Sequence, residues 1–271
     1  MILPFVVEKA SYEDILENLD LYIDHFLNNG VLIFKSLPLE EKEQLSIMEK
    51  FASKLDWGHI PGLDIENHSF TINRWGSNTR SDTEMLIPWH LEHSYKSDRQ
   101  IASSWHMIKF DCSKTSGTTG FINSDDVLNQ MREDWVELLR SSIVCHAING
   151  IPVKPTYRNA ITTHRNSSKE ILNFPPTGSR DILISVNNEL PTNEHIDKFE
   201  LIKKFTEDAV ESYNDKPEHW HEWDLNDLVI IDLTNVYHAV KCGFQIGQRK
   251  FRRYWAYASE ESLHRSEEQK Y

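Results

Sequence analysis

The chain has 271 residues, of which 39% are hydrophobic and 26% are charged, and these proportions are ordinary for a soluble globular protein. Its net charge of −13 disfavours nucleic acid as a partner, because a negative surface repels phosphate backbones. No apolar run approaches the roughly 20 residues that a membrane helix requires, so we expect no membrane partner. Cys112, Cys145 and Cys242 fit neither a disulfide framework nor a CxxC zinc site, which favours a cytoplasmic location.

The beginning of the chain predicts two helices around one strand. Apolar residues recur at a helical period from residue 12 to 29, and Gly30 follows as the expected C-cap. Residues 31–37 (VLIFKSL) then predict a buried strand, and residues 39–55 predict a second amphipathic helix.

From Phe70 onward the pattern changes to short apolar or alternating runs separated by Gly, Asn, Asp and Ser, which is typical of strands. These runs are SFTINRW, IASSWHMIKF, TTGFIN, DILISV, DLVIIDL and RRYWAYA. Two further helices are predicted at 124–142 and 194–214. We therefore expect one mainly β domain over residues 1–271, a sandwich or barrel flanked by helices. The poorly periodic residues 145–180 predict a long loop of the kind that often forms an active-site lid.

The segment IPWHLEHSY carries His90 and Glu92 two positions apart. On a strand these side chains point to the same face, about 6.5–7 Å apart along the chain, so both could reach one metal ion. The candidate third ligand is His238, in DLVIIDLTNVYHAV, at the end of a strongly apolar strand. Two imidazoles and one carboxylate on one side of a metal suit the non-haem Fe(II) oxygenases. An HxE pair also occurs by chance, however, in a chain with 13 histidines.

Other histidines lie near these candidates. His93 would point to the opposite face from Glu92, and we interpret it as a packing or substrate-side residue. The group His219, Trp220 and His221 precedes the DLVIIDL strand, and we interpret it as part of a surface or lid.

Two arginines follow His238 in GQRKFRRYWAY. Arg249 and Arg253 are four positions apart, so on a strand they would share one face. A guanidinium binds a carboxylate through two charge-assisted hydrogen bonds, and 2-oxoglutarate has two carboxylates. The alternative is that both arginines form structural ion pairs with some of the 42 acidic residues.

Five segments in the same order make the sequence resemble the taurine dioxygenase (TauD/TfdA) family of Fe(II)/2-oxoglutarate-dependent oxygenases. NNGVLIFKSLPLEEKEQLSIMEKFASKL looks like that family's early strand and helix, WHLEHSY corresponds to its WHxD segment, and SGTTGF to its GGDTxF segment. FPPTGSRDILISVNNE is similar to its HPxTGxxxLxVN stretch, and WDLNDLVIIDLTNVYHAV to its segment ending in the last histidine. The resemblance implies a double-stranded β-helix, which is a cupin-like jelly roll, and the cofactors Fe(II), 2-oxoglutarate and O2.

The same resemblance implies roles for individual residues. His90, Glu92 and His238 match the iron ligands. Thr119 and Arg249 match the residues that bind the distal carboxylate of 2-oxoglutarate.

Further residues are candidates for the substrate side. Arg253 matches a second arginine near the metal, and we expect it to bind the cosubstrate or an anionic group of the substrate. His59, in WGHIPG, lies close to a substrate-contacting histidine of the family. His93 and Tyr95 are the remaining candidates.

The sequence departs from the family pattern at three places. Glu92 stands where most members have Asp, and relatives with Glu hydroxylate free amino acids or build clavam rings. The usual GD is Asn226-Asp227, which suits the same turn. WDN has become Ile231-Asp232-Leu233, without its tryptophan.

The expected reaction is therefore hydroxylation of an unactivated C–H bond of a small polar metabolite, an amino acid or derivative, with release of succinate and CO2. Desaturation, ring closure and sulfonate- or phosphonate-type C–H cleavage use the same cofactors and stay open. Glu92 disfavours a halogenase, and a zinc hydrolase would not need the Thr119 and Arg249 anchor. A jelly-roll protein that binds a small molecule is the non-enzymatic alternative. Members of the family are often dimers or tetramers, so we expect a homo-oligomer.

Overall fold

Short strands dominate the structure. The computed structural model describes residues 3–58, 60, 64–66, 84–92, 100–146, 156–177 and 181–258. The strands in this part of the chain are β1 (Phe5–Val7), β2 (Val31–Phe34), β3 (Asp64–Glu66), β4 (Met85–His90), β5 (Gln100–Phe110), β6 (Thr119–Asn123), β7 (Ser142–His146), β8 (Thr156–Asn159), β9 (Ile161–Thr163), β10 (Glu170–Leu172), β11 (Ile182–Val186), β12 (Trp220–His221), β13 (Leu228–Asp232), β14 (Val236–Lys241) and β15 (Arg249–Tyr257). The α-helices are α1 (Tyr12–Glu17), α2 (Leu19–Asn29), α3 (Glu41–Leu55), α4 (Ser124–Leu128), α5 (Glu133–Arg140) and α6 (Asn193–Glu211), and a 3-10 helix spans Pro217–His219. Among the described residues, no helix is long and apolar enough to span a membrane.

Two β-sheets form a sandwich at the centre of the molecule. The larger sheet has six strands in the order β1-β2-β13-β5-β15-β3, and the smaller sheet has four strands in the order β12-β6-β14-β4. Neighbouring strands run antiparallel, except that β1 and β2 are parallel. Side chains from both sheets meet in one buried apolar cluster: Val31, Ile33, Trp105, Met107, Val229, Ile231, Phe251 and Trp255 from the larger sheet, and Phe121 and Val236 from the smaller.

The strand β13 shows why the larger sheet is covered on both faces. Val229 and Ile231 pack between the two sheets, whereas Leu228 and Ile230 pack on the opposite side against the helices. This alternation is the period of two that a strand imposes on its side chains. All five residues of β13 are buried, and the first four form one continuous apolar run.

Helices α1, α2 and α3 cover the outer face of the larger sheet. Helix α3 buries Ile47, Met48 and Phe51 in this layer, as its amphipathic sequence predicts. Helix α2 ends at Gly30, whose φ of 73° is the left-handed conformation that glycine adopts readily. The predicted C-cap at Gly30 is thus confirmed.

A second layer covers the outer face of the smaller sheet. It contains α4, α5 and α6, the three-stranded sheet β11-β7-β8 and the hairpin β9-β10. Trp89, Trp220 and Tyr237 connect the smaller sheet to this layer through one apolar cluster.

Two of the predicted helices are interrupted. The helix predicted at 12–29 breaks at Asn18, where φ is −108° and ψ is 26°. The Asn18 side chain donates to the Asp14 carbonyl, and such local bonds compete with helix continuation. The helix predicted at 124–142 is divided into α4 and α5, because Arg132 has an extended backbone.

The loop predicted at 145–180 is partly wrong, because β8, β9 and β10 lie within it. β8 pairs with β7, and β9 pairs with β10. Each of these strands has three or four residues, which is too few for an alternating pattern to stand out in a polar sequence. The predicted strand SFTINRW lies outside the described residues.

A buried ion pair connects this region to the larger sheet. His164 Nε2 lies 2.8 Å from Asp232 Oδ2, and both side chains are 7% exposed. Burial lowers the pKa of His164, but the Asp232 carboxylate outweighs burial and holds that pKa above its ordinary value. Burial also opposes ionisation of Asp232, yet His164 and the hydrogen bonds from Thr234 hold the pKa of Asp232 below its ordinary value. Asp232, the last residue of β13, therefore bonds both to His164 and to Thr234 in the turn that leads into β14.

We expect His164→Ala to lower the free energy of unfolding by about 3 kcal/mol, because it leaves a buried carboxylate unpaired. The contribution of His164 is present below pH 6.5, its ordinary pKa, and is lost as the pH rises through the raised folded pKa. The contribution of Asp232 is present above pH 3.8 and is lost as the pH falls through the lowered folded pKa. Urea unfolding of both proteins over a pH series measures the difference, which should be largest between these two values.

The control is Asp20→Ala, which removes an exposed ion pair with Lys54 and should change the stability little at any pH. A cost of His164→Ala that does not vary with pH would contradict an energetic role for the ion pair.

Candidate metal and cosubstrate site

Two strands of the smaller sheet place two histidines side by side. β14 pairs with β4 so that His238 is directly opposite His90, and the ring centroids are 4.1 Å apart. His238 is 3% exposed. It lies on β14, after the turn that follows β13, and not at the end of the DLVIIDL strand as predicted.

Glu92 joins these histidines from a turn. β4 ends at His90, so the strand alternation predicted from the sequence does not position Glu92. Its Oε2 lies 3.5 Å from His90 Nε2 and 3.3 Å from His238 Nε2. One ligand atom from each of the three residues lies within 4.8 Å of the others.

Hydrogen bonds and burial determine the protonation of the two imidazoles. His90 Nδ1 lies 2.9 Å from the Pro88 carbonyl oxygen, so Nδ1 carries the hydrogen and Nε2 faces Glu92. Burial lowers the pKa of His90, but the hydrogen bond to Glu92 and its charge outweigh burial and raise the pKa. Burial and the nearby His90 lower the pKa of His238 to about 4, so the ring of His238 is neutral at neutral pH.

This donor set fits a divalent metal ion. Two imidazole nitrogens and one carboxylate oxygen bound at 2.0–2.2 Å and at right angles would lie about 3 Å apart, and the observed distances between Glu92 and the two histidines are 3.3 and 3.5 Å. The Pro88 carbonyl orients the ring of His90 in the way that outer partners of metal-bound histidines do. The set of two histidines and one carboxylate is typical of non-haem Fe(II).

Thr119 begins β6, next to β14, and its side chain is buried. Its Oγ1 accepts a hydrogen bond of 2.9 Å from the indole Nε1 of Trp223. Since a hydroxyl can accept and donate at once, this bond leaves the hydroxyl hydrogen of Thr119 available to a ligand oxygen. Sequence reasoning missed Trp223, because a tryptophan beside a strand is usually a core residue.

Arg249 begins β15 and is fully buried. Its Nη1 donates to the Gly117 carbonyl, and its guanidinium carbon lies 4.6 Å from the ring centroids of Phe244 and Phe251. Gly117 has a φ of 66°, and a Cβ there would collide with Nη1 of Arg249. The glycine therefore allows the backbone to approach the arginine, whose charge lies in an apolar surrounding that suits an anionic ligand.

The register of β6 relates this pair to the two histidines. Phe121 of β6 is directly opposite His238. Thr119 is two residues from Phe121 on the same face of the strand, which corresponds to about 6.5–7 Å. An elongated dicarboxylate could therefore contact the metal ligands at one end and Thr119 at the other.

Arg253 lies on the same strand as Arg249 and is paired with an acidic residue. Its Nη2 lies 2.6 Å and its Nε 3.2 Å from Asp64 Oδ2, and its guanidinium lies over the Trp255 ring. In the sheet, Arg253 is opposite Trp105 of β5, and Trp105 contacts His238. Arg253 is thus one side chain away from the candidate metal ligands.

The interpretation of His219, Trp220 and His221 as surface or lid is wrong, because all three are buried. Trp220 and His221 form β12, in which His221 is opposite Thr119. His221 Nε2 lies 3.1 Å from Asp227 Oδ2, but burial lowers the pKa of His221. A strand of two residues has no detectable period, so the sequence could not indicate this pairing.

Three of the predicted substrate-side residues, His59, His93 and Tyr95, lie outside the described residues. Among the predicted residues that the structure describes, His90, Glu92 and His238 lie together, with Thr119 and Arg249 beside them. These five side chains come from β4, β6, β14, β15 and one turn.

A comparison with models of protein families finds a match over most of the chain. The model for "Taurine catabolism dioxygenase TauD, TfdA family" matches residues 4–255. No curated protein matches the sequence significantly.

Solved structures share the fold at low identity. The crystal structure of AAD-2 in complex with Mn(II) and N-oxalylglycine has a TM-score of 0.66 and 16% identity, and the match covers 96% of each chain. The crystal structure of a taurine dioxygenase from Burkholderia xenovorans has a TM-score of 0.66 and 13% identity, over 95% of this chain and 88% of that one. The jelly-roll fold expected from the sequence is confirmed.

We expect Glu92→Ala to reduce the affinity for Mn(II) by more than about 100-fold, since even changes in outer partners of metal ligands cost roughly 10–100-fold. Isothermal titration of the metal-free protein measures this loss. Glu189→Ala, which removes an exposed carboxylate in the turn after β11, is the control and should bind like the unaltered chain. Unchanged stoichiometry and affinity in Glu92→Ala would contradict the metal site.

Proposed function

Because the chain belongs to the TauD/TfdA family of taurine catabolism dioxygenases, we propose that it hydroxylates an unactivated C–H bond of an amino acid or an amino-acid derivative. The enzyme is a 2-oxoglutarate-dependent non-haem iron dioxygenase, and it uses Fe(II), 2-oxoglutarate and O2. The observation that supports the proposal most strongly is the convergence of His90 and His238, from two paired strands, with Glu92, from the turn after β4.

In this proposal His90, Glu92 and His238 hold the iron. When bound, iron and 2-oxoglutarate supply the O2-dependent oxidation of the C–H bond, with succinate and CO2 as the other products. A set of two histidines and one carboxylate would leave the ion with open positions for further ligands. The Pro88 carbonyl fixes the tautomer of His90, so that its Nε2 lone pair faces the site.

Thr119 and Arg249 bind and orient the distal carboxylate of 2-oxoglutarate. Trp223 holds the Thr119 oxygen, and the Gly117 carbonyl holds one nitrogen of Arg249. Both donors are therefore positioned before the ligand arrives, which reduces the ordering cost of binding. Phe121, opposite His238, and Phe251, against the Arg249 guanidinium, belong to one buried apolar cluster, which would exclude water from this part of the site.

Arg253 and Asp64 support an amino acid as the substrate. They present a positive and a negative group side by side, and an amino acid carries a carboxylate and an ammonium group that complement both. Glu92, in place of the usual Asp, occurs in relatives that act on amino acids and agrees with this assignment.

We expect Thr119→Val to weaken 2-oxoglutarate binding by roughly 10–100-fold, because a hydrogen bond to a charged group contributes about 1.5–3 kcal/mol. The measurement is calorimetric titration of 2-oxoglutarate into the Mn(II)-loaded protein. Thr118→Val is a matched control, since Thr118 Oγ1 is buried and has no hydrogen-bond partner in the described part of the chain. Thr118 lines a separate groove with Trp220. Equal affinities in the two variants would show that Thr119 does not bind the cosubstrate.

The reaction itself is tested by succinate release with Fe(II), 2-oxoglutarate and a panel of free amino acids. We expect one or more amino acids to stimulate release and to gain a mass of one oxygen atom. The N-acetyl form of the same amino acid should stimulate less, because it has no ammonium group to pair with Asp64. Stimulation by sulfonates or phosphonates alone would contradict the assigned substrate class.

A further inference from the structure

Trp105 lies beside the candidate metal ligands. It stands in the middle of β5, in the cluster between the two sheets, and is 6% exposed. Its ring meets the His238 ring edge to face, with centroids 5.3 Å apart. It also lies within 6.4 Å of Phe121 and Phe251, measured between ring centroids.

The indole nitrogen of Trp105 is buried and has no hydrogen-bond partner among the residues that the structure describes. The other indoles around the smaller sheet are bonded: Trp89 donates to Asn214, Trp220 to the Tyr213 carbonyl, and Trp223 to Thr119. An indole N–H can only donate, and buried donors are nearly always paired. The acceptor for the Trp105 N–H must therefore come from something other than the described protein atoms.

The neighbours of Trp105 indicate where that acceptor lies. His238, on one side, is a candidate metal ligand. Phe121 stands two residues from Thr119 on β6, and Phe251 packs against the guanidinium of Arg249. Trp105 thus contacts residues on both sides, the candidate metal ligand His238 and the surroundings of Arg249, between which 2-oxoglutarate would bind.

We infer that the Trp105 indole N–H donates to an oxygen of 2-oxoglutarate at the end near the metal. This inference rests on the proposed function, because it requires the cosubstrate to bind between His238 and Arg249. The acceptor is an anionic carboxylate oxygen or the keto oxygen, and a bond to the former is charge-assisted. Trp105 is then a cosubstrate-binding residue that fixes the near end of the molecule, while Thr119 and Arg249 fix the far end.

Nuclear magnetic resonance of the indole N–H groups tests this directly. The full chain is isotope-labelled and loaded with Zn(II), a diamagnetic ion that accepts two histidines and one carboxylate. Trp105→Phe identifies the Trp105 indole signal by its loss, and backbone assignment of the unaltered protein identifies it independently of any variant. Adding 2-oxoglutarate should move this signal downfield and slow its exchange with water.

Affinity supplies a second measurement. Calorimetry on the Zn(II)-loaded protein should show that Trp105→Phe binds 2-oxoglutarate about 10-fold more weakly, the effect of one hydrogen bond. Trp89→Phe is the matched control, because Trp89 precedes His90 but its N–H is already bonded to Asn214. This control should bind 2-oxoglutarate like the unaltered chain.

The outcomes separate the inference from the proposed function. Tight 2-oxoglutarate binding with no movement of the Trp105 signal would overturn the inference and leave the proposed function intact. A signal that moves with an amino acid but not with 2-oxoglutarate would also overturn it. An unaltered protein that does not bind 2-oxoglutarate at all would overturn both.

Discussion

The pairing of β4 with β14 is the constraint on which the rest of the site depends. It places His90 opposite His238, and the chain leaves β4 in a turn that brings Glu92 to both rings. β14 also pairs with β6, so the same strand that holds His238 positions Phe121 and, two residues along, Thr119. A shift of one residue in either pairing would turn these side chains to the opposite face and dismantle the site.

The electrostatics of the site are local and differ from those of the whole protein. The chain carries a net charge of −13, which would repel a dicarboxylate, but surface charges are screened beyond about 8 Å at physiological salt. Arg249 is buried among aromatic rings, where its charge is screened less. Arg253 lies beside Asp64, so its charge is partly balanced. The surroundings of Arg249 are therefore strongly positive, whereas Arg253 and Asp64 form a pair of opposite charges.

The candidate site residues could be predicted because each lies in a short motif with its own spacing. The HxE spacing indicates His90 and Glu92, although the turn after β4, and not strand alternation, brings Glu92 into place. Asn226 was expected to suit a turn, and its φ of 68° lies in the left-handed region that Asn tolerates. The partners of these residues could not be predicted, because Trp105, Trp223 and Asp64 are recognised only by contacts that join distant parts of the chain. Short elements such as β12 could not be predicted either, because a strand of two residues has no detectable alternation.

The distance along the chain between the candidate ligands has a consequence for folding. His90 and His238 are about 150 residues apart, and closing so long a loop is slow because its entropy is lost before the contact is gained. No short peptide of this protein can hold all three ligands together, so the ion has little affinity for the unfolded chain. Because the unfolded chain binds the ion so weakly, nearly the whole free energy of metal binding then adds to the stability of the native state. A metal ion held by these three residues would therefore bind only after the sandwich has closed.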